Sequence, residues 1–259
     1  MLSWLKRAIG VGPSPALIPD DLWRDTMSAY AFLAELPNDA QAQLRVLVSR
    51  FLNEKEFTGA HGLEVTDAMA VTIAAQACLP VLHLGLEWLD DFATIVVHPG
   101  AMLARREVTD DTGLVHRYSE VLLGEAMAGG PVTLSWEEVA GAGASAAHGT
   151  NVVIHEFVHK LDMRDGVADG CPPLPNRAFR QAWHDTMNQA YAEFKAQLSM
   201  ADRFGGEAPW LDRYGAAAPA EFFAVASEAY FVNRPRFSAE MPTLKVLFDD
   251  FYLARSKRT

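Results

Sequence analysis

Residues 155–159 read His155-Glu156-Phe157-Val158-His159, the pattern H-E-x-x-H. Residues four apart on a helix point to nearly the same side, so two imidazoles at this spacing can reach one metal ion. Glu156 stands one step further round, badly placed to be a ligand but close enough to hold a water and take its proton. The chemistry this implies is metal-assisted hydrolysis. Chance alone produces the pattern in roughly one or two chains of this length per hundred, so its surroundings decide. The preceding Asn151-Val-Val-Ile154 is apolar enough to bury the helix. Two histidines and a carboxylate in a core are costly without compensation, and a cation supplies it.

A catalytic zinc takes three protein ligands, so a third must come from elsewhere. Asp165 lies six residues after His159, which suits one known spacing. That spacing calls for a glycine where this chain has Asp162, and Asp165 is discounted. The stretch from Tyr214 through Pro219, Glu221 and Glu228 is a better source. Pro219 suits a first helical turn, and Phe222, Phe223, Val225, Ala226 and Ala229 make the helix mostly buried. Glu221 and Glu228 are seven apart and share a face, a carboxylate pair that calls for a cation, and spacing does not choose between them. Either could instead pair with Arg234 or Arg236. Asp162, three residues after His159, is a candidate to orient a ligand imidazole, with a solvated carboxylate or a pair with Arg164 as the plain alternative.

These residues need elements to hold them. Helical spacing marks residues 20–36, a second helix from Asn38 or Asp39 to Leu52, and an alanine-rich helix after Thr66-Asp67. Short β-prone runs follow at 93–98, 113–118, 120–123 and 131–135, separated by turn signals at 110–113 and at Gly129-Gly130. Helical patterns return at 151–162, 176–200, 219–232 and 237–254. The expected fold class is α+β, helix-rich, with a small sheet. Residues 1–19 are expected to be an N-terminal segment and linker, and 20–259 a single domain.

Composition bounds the rest. Of 259 residues 50% are hydrophobic, enough to bury a core without staples, and the formal charge is -11. Nucleic-acid surfaces need clustered Lys and Arg, so nucleic acid is excluded as a partner. Two distant cysteines, Cys78 and Cys171, give neither a metal-ligand spacing nor a disulfide framework, and fit a reducing compartment. The run 68–86 carries Thr72, Gln76, Pro80 and His83 and is expected to be a buried helix, not a membrane span. The N-terminal charge follows its apolar residues, the reverse of a secretory signal. A cytoplasmic protein without membrane attachment is the expectation.

Three stretches, Gly130-Pro-Val-Thr-Leu-Ser-Trp136, 151–162 and 220–231, resemble the Mlc titration factor A family, zincin-like zinc metallopeptidases related to the catalytic domain of anthrax lethal factor. The likeness runs over most of the chain and is weakest in its N-terminal third. It implies a zincin-like fold with a mixed sheet and one Zn2+ per chain, held by His155, His159 and Glu221. Glu156 would be the general base. Tyr214 would stand beside the metal and donate a hydrogen bond to the oxyanion, and Glu228 would support the ligands. The strand Val132, Thr133, Leu134 and Ser135 would be the edge that pairs with an extended peptide substrate. The implied activity is zinc-dependent peptide hydrolysis, tipped towards aminopeptidase action. The resemblance also implies an alternative: a regulator that sequesters an Mlc-type repressor of sugar uptake, its peptidase activity secondary. Glu156 speaks for the enzyme, since a purely structural zinc needs no base.

Overall fold

Prolines and short polar caps set the chain's direction in its helical first part. The computed structural model describes residues 18–109 and 115–253, and for 103–109 and 115–121 the backbone alone. Helices α1 (Asp20–Ala29), α2 (Ala31–Ala34) and α3 (Asn38–Glu54) come first. Tyr30 is extended and divides what the apolar spacing suggests as one helix over 20–36. At the next turn Gln41 Nε2 donates to the carbonyls of Ala34 and Leu36 at 2.9 and 2.8 Å. After strand β1 (Glu56–Gly59) comes α4 (Asp67–Cys78), its first turn closed by Thr66 Oγ1, which accepts the Met69 N–H at 3.2 Å. Residues 69–78 are all buried; the small alanines at 70, 74, 75 and 77 let other elements approach closely.

Next come β2 (Thr94–His98), β3 (Met102–Thr109), β4 (Val115–Leu122), β5 (Gly124–Ala126) and β6 (Val132–Ser135). The mixed four-stranded sheet has the order β1-β2-β6-β5, with β1, β2 and β6 parallel and β5 antiparallel to β6. Strands β3 and β4 form a separate antiparallel pair. Ile95, Val97, Val132 and Leu134, alternate residues of two central strands, are completely buried and form the face the helices cover. Strand β4 is unbroken through Ser119, where spacing suggested a gap, and residues 113 and 114 of that expectation lie outside the described residues.

One expectation is overturned. Val132, Thr133, Leu134 and Ser135 are not an edge: β6 lies between β2 and β5, with Val132 opposite Ile95 on one side and Ala126 on the other. The cause is the turn carrying Gly129, whose φ of 61° reverses the chain so tightly that β5 folds back on β6. The edge is β5.

The second half holds α5 (Trp136–Ser145), α6 (Val152–Asp162), α7 (Arg177–Phe204), α8 (Pro219–Val232), α9 (Arg234–Glu240) and α10 (Pro242–Tyr252). The expected helix over 237–254 is two helices, because Pro242 starts a new one; residue 254 lies outside the described residues, as do 1–17 of the expected N-terminal segment. One contiguous core runs from Ile18 to Tyr252. At its centre Trp183 meets Phe223 edge-on at 5.3 Å and stacks on Phe248 at 5.7 Å. Each such buried aromatic contributes about 1.5–3 kcal/mol. Among the described residues no helix is long and apolar enough to cross a membrane.

A buried lysine ties the site's helix to the sheet. Lys160 of α6 is wholly inaccessible. Its Nζ lies 2.7 Å from Asp91 Oδ2 and donates to the Met127 carbonyl at 2.9 Å, in the β5–β6 turn. An ammonium is tolerated there only because it is paired and hydrogen-bonded, and the arrangement holds β5 against α6.

Candidate metal centre

The H-E-x-x-H residues lie on α6, and the cap of that helix is the junction of the site. Asn151 Oδ1 accepts the Ile154 N–H at 2.9 Å, satisfying one of the first-turn donors. Its side-chain amide donates to Gln76 Oε1 of α4 at 2.7 Å, and its backbone N–H donates to Glu228 of α8. Three helices are thereby registered at the end of α6 that carries His155.

Helix α8 supplies the other ligand candidate. Pro219 opens it, and it is buried almost all round, which fixes its rotation. Glu221 Oε2 lies 3.1 Å from His155 Nε2 and 3.2 Å from His159 Nε2, and the two nitrogens are 3.1 Å apart. Glu228, two turns further on, sits behind the same imidazole and accepts from His155 Nδ1 at 2.7 Å. The two carboxylates that spacing left undecided therefore have different partners: Glu221 meets both Nε2 atoms, and Glu228 fixes the His155 ring. Neither pairs with the arginines considered for them. Arg234 bonds Asp249, and Arg236 pairs with Glu240.

This donor set fits a metal ion. With the Nδ1 proton of His155 given to Glu228, three lone-pair donors converge on one point. The near-equilateral triangle of 3.1–3.2 Å is slightly tighter than the ligand spacing of about 3.3–3.6 Å around a tetrahedral ion with bonds of about 2.0–2.2 Å. Electrostatics points the same way. Burial works against a charged His155, yet Glu228 and Glu221 outweigh it and raise its proton affinity well above the ordinary value. That is a demand for positive charge between the ligands, which a metal cation also meets. Burial likewise disfavours charge on Glu221, but bonds from both imidazoles hold its carboxyl down at about 2. Among the described residues, His155, His159 and Glu221 are the one group of three or more His, Cys, Asp or Glu side chains placed to share a metal ion. The exposed Asp165 accepts the Val167 N–H and takes no part.

Glu156 faces the neighbouring cavity of about 460 Å3, whose walls include Leu122, Leu123, Glu138, Asp212 and Tyr214. Burial pushes its carboxyl up to about 7 against the pull of His155 and His159. A group with that proton affinity can both take and return a proton near neutral pH. Gly124 of β5 lies against it: a Cβ there would come within 2.5 Å of Glu156 Oε1. Tyr214 stands in a short turn (Arg213–Ala216), its N–H held by Asp212 Oδ1 at 2.9 Å, and its ring centre is 6.0 Å from that of His155.

Asp162 is the second correction. It bonds neither histidine: Oδ2 accepts the Gly170 N–H at 2.9 Å, and Oδ1 has no hydrogen-bond partner among the described residues. The chain after α6 turns back over that end of the helix and claims the carboxylate. Arg164, its alternative partner, bonds Asp90. Gly170 also accepts from Trp183 Nε1 at 2.8 Å and packs against the Pro219 carbonyl, so Asp162 braces α6 against the start of α8. The segment 171–175 lines no part of the cavity.

Spacing gave no notice of Gln76 or Lys160. Gly124 had a signal, since a lone glycine in a strand marks close backbone approach.

A family model described as glucose-regulated metallo-peptidase M90 matches residues 3–253. A protein named Mlc titration factor A from Salmonella arizonae is 37% identical over 234 residues, 90% of each chain. Proteins of the same name from Enterobacter sp. (strain 638) and Edwardsiella ictaluri are 35% and 38% identical, covering 97% and 86% of this chain and 91% and 84% of their own. A match spanning nearly the whole chain, over a helix and a carboxylate arranged as metal ligands, leads to one conclusion: the chain belongs to the glucose-regulated metallo-peptidase M90 family.

Proposed function

We propose that this protein is a zinc-dependent peptidase of zincin type, with His155, His159 and Glu221 holding one Zn2+ and Glu156 serving as general base. The observation that carries this is the convergence of three donors beside the buried Glu156 carboxyl, whose proton affinity burial raises. Bound there, zinc would supply Lewis acidity, lowering the pKa of a water towards neutrality and polarising a carbonyl. Glu156 takes the proton of the attacking water and returns it to the leaving amine. Tyr214, also in the cavity wall, donates a hydrogen bond from its phenol to the oxygen that gains charge. Gly124, Glu125 and Ala126 of the edge strand β5 offer backbone groups to an extended peptide, the role expected of β6. The acidic side chains of Glu138 and Asp212 in the cavity wall favour a substrate with a free amino terminus, hence aminopeptidase action. Cys78 and Cys171 are unpaired, in keeping with a cytoplasmic setting.

Elemental analysis of purified wild type and Glu221→Ala tests the site. The expected result is one zinc per chain in the wild type and a clear loss in the variant. Wild type that takes up no zinc on reconstitution contradicts the reading.

The name of the relatives, titration factor for Mlc, favours a second reading in which this chain binds a repressor of the Mlc type. Glu156→Gln separates the two: a variant that still captures such a repressor while hydrolysis is lost shows binding to be independent of catalysis.

A further inference from the structure

A second pair of histidines lies outside this site, at the carboxyl ends of two parallel strands. In parallel sheets those ends are where ligands are bound. His98 is the last residue of β2, and His61 stands two residues beyond the end of β1, its neighbour in the sheet. The chain there makes a tight turn, with the Leu63 N–H on the Ala60 carbonyl at 3.0 Å and the Ala60 N–H on the Val97 carbonyl at 2.8 Å. His61 and Gly62 take φ of 52° and 79°, and the turn aims the His61 ring at His98.

We propose that His61 and His98 form a second metal site, for a divalent transition-metal ion, distinct from the cluster on α6 and α8. The two rings are 5.2 Å apart, centre to centre, and inclined at 62°. The yardstick is within the molecule: the His155 and His159 rings, already aimed at one point, are 4.7 Å apart at 80°. Neither His61 nor His98 has a hydrogen-bond partner among the described residues, none of which claims their nitrogens. Burial, and then His61, lower the proton affinity of His98, which keeps it in the neutral form that binds metals. A cavity of about 180 Å3 opens on the pair, lined also by Pro99, Gly100, Ala101 and Met102. It has room for an ion and several waters, and it shares no lining residue with the cavity beside Glu156. Two imidazoles with open positions suit Zn2+, Ni2+ or Cu2+ and not Mg2+ or Ca2+.

Equilibrium dialysis of the full chain against Zn2+, and separately Ni2+, counts bound ions in wild type, His61→Asn and His98→Gln. Asparagine tolerates the left-handed backbone at 61, so the turn survives the substitution, and the two variants remove the two ligands independently. The expected result is one more ion per chain in the wild type than in either variant, with at least a tenfold weaker second binding step in each. The variants should keep the ion held by His155, His159 and Glu221. Equal ion counts and affinities in all three proteins overturn the proposal. Because the comparison is a difference at residues 61 and 98, absence of zinc at the α6 cluster changes the total and leaves this test intact.

Discussion

Replacing Glu228 by Gln probes the group that fixes the His155 ring, one of the three proposed metal ligands. Glu228 faces two donors, the His155 Nδ1–H at 2.7 Å and the backbone N–H of Asn151, and each carboxylate oxygen takes one. Glutamine keeps the shape but offers one acceptor oxygen and one NH2, so one donor must confront another donor. If Asn151 loses its acceptor, a buried N–H is left unsatisfied at about 1–3 kcal/mol. If His155 loses it, the ring is no longer fixed, and groups of this kind are worth about 10–100-fold in metal affinity, or roughly 1.4–2.7 kcal/mol. Competition with a chelator of known zinc affinity reads the second cost, and thermal unfolding of the metal-free protein reads the first. For a chain of this size each kcal/mol moves the melting temperature by about 2–4 °C. The variant should lose zinc affinity, melting temperature, or a share of each. Wild-type values of both would refute the role given to Glu228.

Two further outcomes follow from the same geometry. Gly124→Ala should lower peptide hydrolysis by about 100-fold with zinc content unchanged, since its Cβ would arrive 2.5 Å from Glu156 Oε1 and displace the base; unimpaired turnover numbers would count against that contact. Asp249→Asn should lower stability at pH 7 by on the order of 1 kcal/mol. Burial disfavours the Asp249 charge, but Lys245, Tyr230 and Arg234 outweigh it and depress the pKa. The contribution is therefore present above the usual carboxylate pKa of about 3.9 and lost as pH falls through the lower folded value. Denaturant unfolding should show the gap between variant and wild type closing as pH drops from 7 towards 3.

The motif helix and the ligand helix were legible because their signals are local. Helical patterns at 151–162 and 219–232 correspond to α6 and α8 within a residue, one marked by Asn151 and the other by Pro219. What failed was long-range or locally ambiguous. Strand β1, with only four residues, and β3, with its Arg105-Arg106-Glu107, carry no clear alternation. Helix α5 was hidden by Gly141 and Gly143, although Ser135 caps it. The edge was misassigned because β-propensity says nothing about which side of a strand is occupied, and β5 is three residues long. Asp162 sat at the right spacing to orient an imidazole, and only the returning chain at Gly170 decides otherwise. In the site, spacing brought Glu221 and Glu228 to one face of α8; which imidazole nitrogen each meets depends on how α8 packs across α6, a contact between residues more than 60 apart in the chain.

Central to the proposed function is that Glu156 moves the proton in a metal-dependent hydrolysis. Its most direct test is the rate of peptide cleavage by zinc-loaded wild type and Glu156→Gln at equal metal content. The expected result is measurable cleavage by the wild type and a loss of about 100- to 10,000-fold in the variant, with zinc retained. Equal rates in the two proteins, or no cleavage by fully loaded wild type, would contradict it.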